Sequence, residues 1–285
     1  MKTPLLEQLP LTQQDRLEFI DFSLEFYGKV SRQWLSRCLQ LATASCTRDI
    51  TLYRQFASEN LEMRHQDKAF YRTDKFKALF VHKPKKTLAK LERYSPVLFS
   101  ATPAAVLSSD VIIDNSLLYP PMDVTAMVNR AIVSRSAVQI NYESLRVGAI
   151  CTDLIPFAIF HGYRGWYVRA YDLSSAQFSD FSLSRIQSVA PSAEPVSVTD
   201  IAPDSQWNTI VNLLLEPHPS VSNKRAIEMM YRMENGCLTI VTNAVIARHL
   251  LRRENVAVSN NDVFLPESLL SLKSGLSFNP ILEEL

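Results

Sequence analysis

The feature that most constrains this chain is a run of helical periodicity, followed by strand-like segments, in residues 12–72. A first helix is predicted from Thr12, with apolar residues at helical spacing, and Gly28 ends it. Ser31 can cap a shorter second helix, and Ser45 can cap a third. The N-terminal third is therefore predicted to hold three consecutive helices.

The third predicted helix has two chemically different faces. Its inward side carries apolar residues at helical spacing: Cys46, Ile50, Tyr53 and Ala57. Its outward side is polar, basic and almost free of acid, and such side chains suit contact with base edges and phosphates in a DNA major groove. The residues predicted to contact DNA here are Ser45, Thr47, Arg48, Thr51 and Arg54, with Arg48 and Arg54 as the principal candidates.

A hairpin is predicted directly after these helices. The segments Leu61–Arg64 and Ala69–Arg72 flank a polar turn. Helices followed by such a hairpin indicate a winged helix-turn-helix, with the hairpin as the wing. Its exposed side chains are expected to reach a neighbouring groove or the backbone of DNA, and they are Arg64, His65, Lys68 and Arg72. The alternative is a helical subdomain with a solvated basic edge.

The charge distribution supports a polyanionic partner for one part of the chain. The formal net charge is only +1, yet residues 1–100 hold 17 Lys and Arg against 11 Asp and Glu, and the remainder is mildly acidic. A basic module on an acidic body suits a protein that places one part on phosphates.

Several function classes are disfavoured. No apolar run approaches the roughly 20 residues of a membrane span, and the N-terminus does not resemble a secretory signal, so a cytoplasmic location is expected. The four cysteines show no metal-ligand spacing, and there is no phosphate-binding glycine loop or nucleophile motif. We therefore expect no catalytic residue, metal or cofactor. A nucleic-acid-processing enzyme stays a minor alternative, because sites assembled from distant residues are invisible in sequence.

The middle of the chain predicts one helix and a small β structure. Prolines between residues 96 and 121 indicate a linker, and a short amphipathic helix follows, from Val124 to Ile132. Four strand-like segments come next: Ala137–Tyr142, Thr152–Phe160, Gly165–Tyr171 and Phe178–Ile186. This order indicates a β-meander or a small barrel.

The third of these strands carries an unusual face. Alternation places Tyr167, Arg169 and Tyr171 together, opposite Trp166 and Val168, and we predict that this is not a core face. Two aromatic rings flanking an arginine suit a nucleotide or single-stranded nucleic acid. Arg185 and His161 are expected to converge on it. The alternative is that the tyrosines are half-buried and that Arg169 pairs with a local acid.

These segments resemble the core of a WYL domain. The resemblance rests on the Pro156-Phe157 strand, His161-Gly162, the run from Gly165 to Asp172 and the run from Phe181 to Ile186, with Val168 where the family has leucine. It implies an Sm-like small β-barrel that follows a DNA-binding domain. It also implies a pocket for a nucleotide or nucleic-acid ligand, with these candidate residues: Tyr142, His161, Tyr167, Arg169 and Arg185.

The C-terminal third predicts a hairpin and a helix. Ala226–Met233 and Cys237–Thr242 flank an Asn-Gly turn, and a helix is expected from Asn243 to about Asn255. With the His218-Pro219 pair before them, these elements resemble the extension of WYL regulators of phage-defence operons of the BREX and CBASS kinds. In that family the extension is a dimerisation element.

The resemblance implies an α+β protein with an N-terminal winged helix-turn-helix, a central Sm-like barrel and a C-terminal α/β dimerisation domain. The expected boundaries are 1–95 for the winged helix, 96–121 for the linker, 122–195 for the WYL domain and 196–285 for the extension. The implied function is a homodimeric repressor that binds an inverted repeat in double-stranded DNA and senses a nucleotide-like effector. An activator or an accessory protein of a defence complex stays open.

Overall fold

The structure is a computed structural model that describes Leu6 and residues 8–94, 118–193, 201–258 and 268–273. Its helices are α1 (Leu11–Tyr27), α2 (Arg32–Leu39), α3 (Thr43–Phe56), α4 (Pro84–Arg93), α5 (Met122–Ser134), α6 (Ser205–Asn208), α7 (Lys224–Met230) and α8 (Ala244–Arg253). Its strands are β1 (Lys29–Ser31), β2 (Leu61–Arg64), β3 (Ala69–Arg72), β4 (Val138–Ser144), β5 (Gly148–Gly162), β6 (Gly165–Asp172), β7 (Gln177–Ser182), β8 (Ile186–Pro191), β9 (Ile210–Pro217), β10 (Leu238–Asn243) and β11 (Leu270–Leu272). Most of the predicted linker lies outside the described residues.

The chain divides into two compact units. One contains Met1–Ile159 and Val168–Val196, and the other contains Phe160–Tyr167 and Ser197–Leu285. The tip of the β5–β6 hairpin therefore belongs to the second unit, although both of its strands begin or end in the first.

The N-terminal part of the first unit is a winged helix, as predicted. Gly28 ends α1 in the left-handed region, with φ of 75°, and its amide donates to the Leu24 carbonyl. The Ser31 hydroxyl accepts a hydrogen bond of 3.1 Å from the Trp34 amide and so caps α2. The two wing strands have the predicted bounds and pair antiparallel in a sheet of order β1-β3-β2.

The WYL part is one helix, α5, followed by a five-stranded sheet of order β7-β6-β5-β4-β8. Strands β7 and β8 lie at opposite edges, yet only a 3₁₀ turn, Leu183–Arg185, joins them. Such a link reaches roughly 14 Å, whereas the edges of a flat five-stranded sheet lie about 19 Å apart. The sheet must therefore curl, which agrees with the predicted small barrel. The predicted strand Phe178–Ile186 is thus two strands separated by this turn.

The predicted C-terminal hairpin is wrong. Residues of its first arm form helix α7 instead, which Asn223 caps by accepting from the Ala226 amide. Lysine, arginine, alanine, glutamate and methionine dominate this segment and favour a helix, and Ile227 is its buried residue. Strand β10 pairs antiparallel with β9, and the sheet order is β10-β9-β11. Helix α8 follows as predicted, with Asn243 as its cap.

Candidate DNA interface and ligand site

Helix α3 presents the face that the sequence predicts. Its inward residues Cys46, Ile50 and Tyr53 are buried. The outward side chains are exposed, and they are Thr47, Arg48, Thr51 and Arg54. Ser45 does not cap the helix, because α3 begins two residues earlier with Ala42 in the cap position. Its hydroxyl instead accepts a hydrogen bond of 3.2 Å from the Arg48 guanidinium.

A buried carboxylate holds α3 in place. Asp21 of α1 is fully buried and accepts a hydrogen bond of 2.5 Å from the Tyr53 hydroxyl. The same carboxylate accepts from the amides of Leu79 and Phe80 and lies 3.0 Å from Nε2 of His82. Burial, and then the nearby Asp21 carboxylate, raise the pKa of Tyr53 above its ordinary range. The phenol therefore stays protonated as a donor.

Asn60 extends this network to the base of the wing. Its amide donates to the Tyr53 hydroxyl at 2.9 Å and to the Lys77 carbonyl at 2.7 Å. Its side-chain oxygen accepts from the Lys77 amide. Local sequence patterns did not predict this network. The available signal was a polar residue, Asp21, within the apolar run of a helix.

The wing turn is held by Asp67 and Tyr71. Asp67 accepts from the hydroxyl of Tyr71 and from the amide of Ala69, and the first of these bonds lowers the pKa of the carboxyl. The Arg64 guanidinium lies 4.1 Å from the centre of the Tyr71 ring. Lys68 occupies the left-handed region, with φ of 55°. Arg64, His65 and Lys68 are all exposed, as the DNA hypothesis requires.

Arg72 is not an exposed wing residue, contrary to the prediction. Its guanidinium lies 4.7 Å from the centre of the Phe76 ring and 4.0 Å from the Glu25 carboxylate. Because Arg72 is the last residue of β3, its side chain lies at the base of the wing. It faces the body of the domain.

A cleft of about 220 Å³ separates the wing turn from the first residues of α2 and α3. Its lining residues are Ser31, Arg32, Gln33, Thr43, Asp67 and Lys68. Amide groups at helix starts and basic side chains both favour an anion. The basic residues of the lining are Arg32 and Lys68, and Asp67 is its acidic residue.

Arg169 is buried, and the prediction that its strand face lies outside the core is wrong for Arg169 and Tyr167. The Arg169 side chain is 2% exposed and pairs with Asp180 at 2.9 Å. The alternative of a local acidic partner is thus the observed one. Strand β6 is buried at four successive residues, 167–170, so alternation does not separate core from solvent along this strand. The guanidinium also lies 5.9 Å from the centre of the Phe178 ring.

Tyr142 and Arg185 do lie together. The Arg185 guanidinium is 4.9 Å from the centre of the Tyr142 ring and donates to the Glu143 carbonyl. Burial raises the pKa of the Tyr142 hydroxyl, which accepts a hydrogen bond of 3.4 Å from the Ser182 amide. Arg185 is half-buried. This pair joins a cation to an aromatic ring, as the predicted ligand chemistry requires.

The other two ligand candidates belong to the second unit. Tyr167 stacks on Phe160 at 5.7 Å and lies 4.7 Å from the His249 ring. A Cβ at Gly162 would approach both His249 and Tyr167 to 2.6 Å, so this position requires glycine. The His161 ring contacts Trp166 at 5.3 Å. Tyr167 is therefore part of a packed aromatic cluster.

Within the described ranges, no group of histidine, cysteine or acidic residues is arranged to hold a metal ion. Among the helices that the structure describes, none is long and apolar enough to span a membrane.

Three family models match the chain in succession. The winged helix-turn-helix domain of the BrxR transcriptional regulator matches residues 12–92, and the WYL domain matches residues 123–191. The C-terminal dimerization domain of the BrxR regulator matches residues 210–273.

The chain is similar to proteins described as the DNA-binding transcriptional repressor CapW. The protein from Pseudomonas aeruginosa is 29% identical over 86% of this chain and 83% of its own length. One from Escherichia coli is 27% identical over 92% of this chain and 89% of its own length. One from Stenotrophomonas maltophilia is 27% identical over 87% of this chain and 86% of its own length.

Proposed function

The chain belongs to the WYL-domain transcriptional regulators of the BrxR type, and we propose that it is a homodimeric DNA-binding repressor of a phage-defence operon. In this proposal its WYL domain senses a nucleotide or nucleic-acid ligand. The similar proteins named as repressors span most of this chain and most of their own length, which supports the same role here.

The observation that carries the proposal is the pairing of a buried anchor and an exposed basic face on α3. Tyr53 fixes the helix to α1, while Arg48 and Arg54 project from its outward side. A rigid helix that presents arginine and threonine side chains suits reading in the major groove. We propose Ser45, Thr47, Arg48, Thr51 and Arg54 as its contacts, with Arg64, His65 and Lys68 of the wing on the adjacent backbone or groove.

We assign dimerisation to the C-terminal extension. The matched dimerization domain contains the sheet β10-β9-β11, and its residues Ile210 and Val241 are 66% and 65% exposed. Exposed apolar side chains on a sheet suit contact with a second copy. A twofold dimer places two α3 helices on an inverted repeat with half-sites separated by whole turns of DNA. The domain boundaries proposed for this arrangement are those predicted from the sequence.

For the ligand we propose Tyr142, His161, Tyr167, Arg169 and Arg185. The Tyr142 and Arg185 pair is the strongest support, because a cation over a ring suits a phosphate and a base. Arg169 already pairs with Asp180, so it acts on a ligand only if that pair opens. The proposal needs no catalytic residue, metal or cofactor, and it places the protein in the cytoplasm.

The test is an anisotropy titration of purified protein against the intergenic DNA upstream of its gene, with scrambled DNA as the control. Selective binding of two protomers per site is expected. Affinity should fall steeply with salt, with a slope of about 0.9 per phosphate contact. We compare Arg48→Ala with the matched charge control Arg135→Ala. Arg135 is an exposed residue at the end of α5. Binding without sequence selectivity would overturn the repressor proposal.

Activation is the second candidate, because the direction of regulation depends on the position of the operator. Deletion of the gene should raise transcription of its neighbours for a repressor and lower it for an activator. Turnover of DNA, RNA or a cyclic nucleotide by the purified protein would instead favour the enzyme alternative.

A further inference from the structure

Two arginines and one glutamate link the wing to the first helix of the WYL domain. Glu25 lies near the end of α1, between Arg72 of β3 and Arg130 of α5. The Arg130 Nη1 atom is 3.2 Å from Glu25 Oε1, and the Arg72 Nε atom is 4.0 Å from Glu25 Oε2. One carboxylate therefore faces a cation from each side.

Both arginines also contact the chain around the end of α1 through backbone groups. The Arg130 guanidinium donates to the Glu25 carbonyl, and its neighbour Asn129 donates to the Phe26 carbonyl at 2.7 Å. These carbonyls have no partner within the helix itself, since they belong to its last turn. The Arg72 amide donates to the Gly28 carbonyl at 2.9 Å. Helix α5 and strand β3 thus both contact residues 25–28, at the end of α1.

The two cations share the Glu25 carboxylate, one at each oxygen. The side chains of Arg130, Glu25 and Arg72 are 24%, 20% and 25% exposed, so solvent screens their charges less than it would at an open surface. Burial, and then the positive charge of Arg72, lower the pKa of Arg130. Arg130 thus holds Glu25 through one carboxylate oxygen, and the second oxygen faces Arg72.

We propose that Arg130 is a positioning residue that couples the WYL domain to the wing by sharing Glu25 with Arg72. A displacement of α5 that draws Arg130 away from Glu25 frees the carboxylate that faces Arg72 and so loosens the end of β3. Helix α5 also lines a groove of about 530 Å³ with β8, and Arg130 and Ala190 are among its lining residues. This coupling between the WYL domain and the wing rests on the proposed DNA-binding function in one respect, which is its expected effect on operator affinity.

The test compares Arg130→Gln with Arg135→Gln, which removes the same charge from the exposed C-cap residue that follows α5. Amide hydrogen exchange by mass spectrometry is measured on peptides that cover Leu61–Arg72. Arg130→Gln is expected to raise exchange in the wing, and Arg135→Gln is expected to leave it unchanged. Operator affinity should fall by roughly fivefold or more in Arg130→Gln. The salt slope should stay constant, because no phosphate contact is removed.

Glu25→Gln is the second variant, and it should produce the same change in the wing without loss of side-chain volume. The Arg72→Gln/Arg130→Gln double variant should show less than the sum of the single effects. If exchange rises only at residues 20–28 and in α5, Arg130 only caps the end of α1, and the proposal is overturned. If the wild-type protein does not bind the operator selectively, the proposed function is wrong. The exchange data would still show whether Arg130 is coupled to the wing.

Discussion

The hydroxyl of Tyr53, on the helix that carries the proposed reading face, donates a hydrogen bond of 2.5 Å to Asp21 Oδ1 on α1. Residues 32 positions apart are thereby joined in the core of the winged helix. The exposed arginines of α3 take their orientation from this contact, since the opposite side of the same helix is fixed by it.

Loss of the Tyr53 hydroxyl should destabilise the winged helix. Tyr53→Phe leaves the buried carboxylate with one donor fewer, and we expect a loss of about 1–3 kcal/mol in the free energy of unfolding. Asp21→Asn should lower it further, because an amide has one acceptor oxygen for the donors that converge there. Urea denaturation measures both. Equal stability of Tyr53→Phe and wild type would remove the anchoring role.

Arg48 and Arg54 should each contribute to sequence reading. Replacement of either by alanine is expected to reduce operator affinity by about 1–3 kcal/mol if it contacts a base, with reduced discrimination at one base position. Anisotropy titrations against operators with single base changes measure this. Unchanged affinity in both variants would exclude α3 as the reading helix.

Removal of one partner of the Arg169 and Asp180 pair should destabilise the barrel, whatever the ligand. Arg169→Met leaves a buried carboxylate without this partner, and the expected loss is about 3–5 kcal/mol. The Arg169→Met/Asp180→Leu double variant should be more stable than the single variant, because no charge of the pair remains buried. Denaturant midpoints of the three proteins give the comparison. A single variant as stable as the double would show that the pair is not coupled.

A charge at Val241 should weaken the dimer. This side chain is 65% exposed on β10, and burial of an unpaired carboxylate against a second copy is unfavourable by several kcal/mol. Val241→Glu is expected to shift the protein toward the monomer in light scattering at a fixed concentration. Ser222→Glu, at an exposed position outside the strands of the same unit, is the control. If Val241→Glu remains fully dimeric, the interface lies elsewhere on the extension.

Local patterns in the sequence predicted much of the winged helix. The bounds of the wing strands and the two faces of α3 follow from short-range periodicity, and the structure confirms both. The network around Asp21 was not predictable in this way, because its partner His82 lies 61 positions further along the chain. A polar residue on an apolar stripe shows that a partner exists without identifying it.

Two errors have the same physical origin. Local spacing predicted that β10 pairs with the segment next to it, whereas β10 pairs with β9, from which α7 separates it. Alternation predicted that Arg169 lies outside the core, as in a strand with one solvated face, whereas β6 is buried on both sides at this point. In both cases contacts between residues far apart in the chain determined the structure. Local spacing in the sequence does not predict such contacts.

The hairpin tip of β5 and β6 limits how this architecture can be divided. Phe160 and Tyr167 pack with His249 in the second unit, although both residues precede the predicted boundary near 195 in the chain. A truncated protein that stops before α8 would therefore leave two aromatic rings without the histidine they contact. Recombination that exchanged the extension between regulators would have to carry the tip with it, so the two regions are constrained to evolve together.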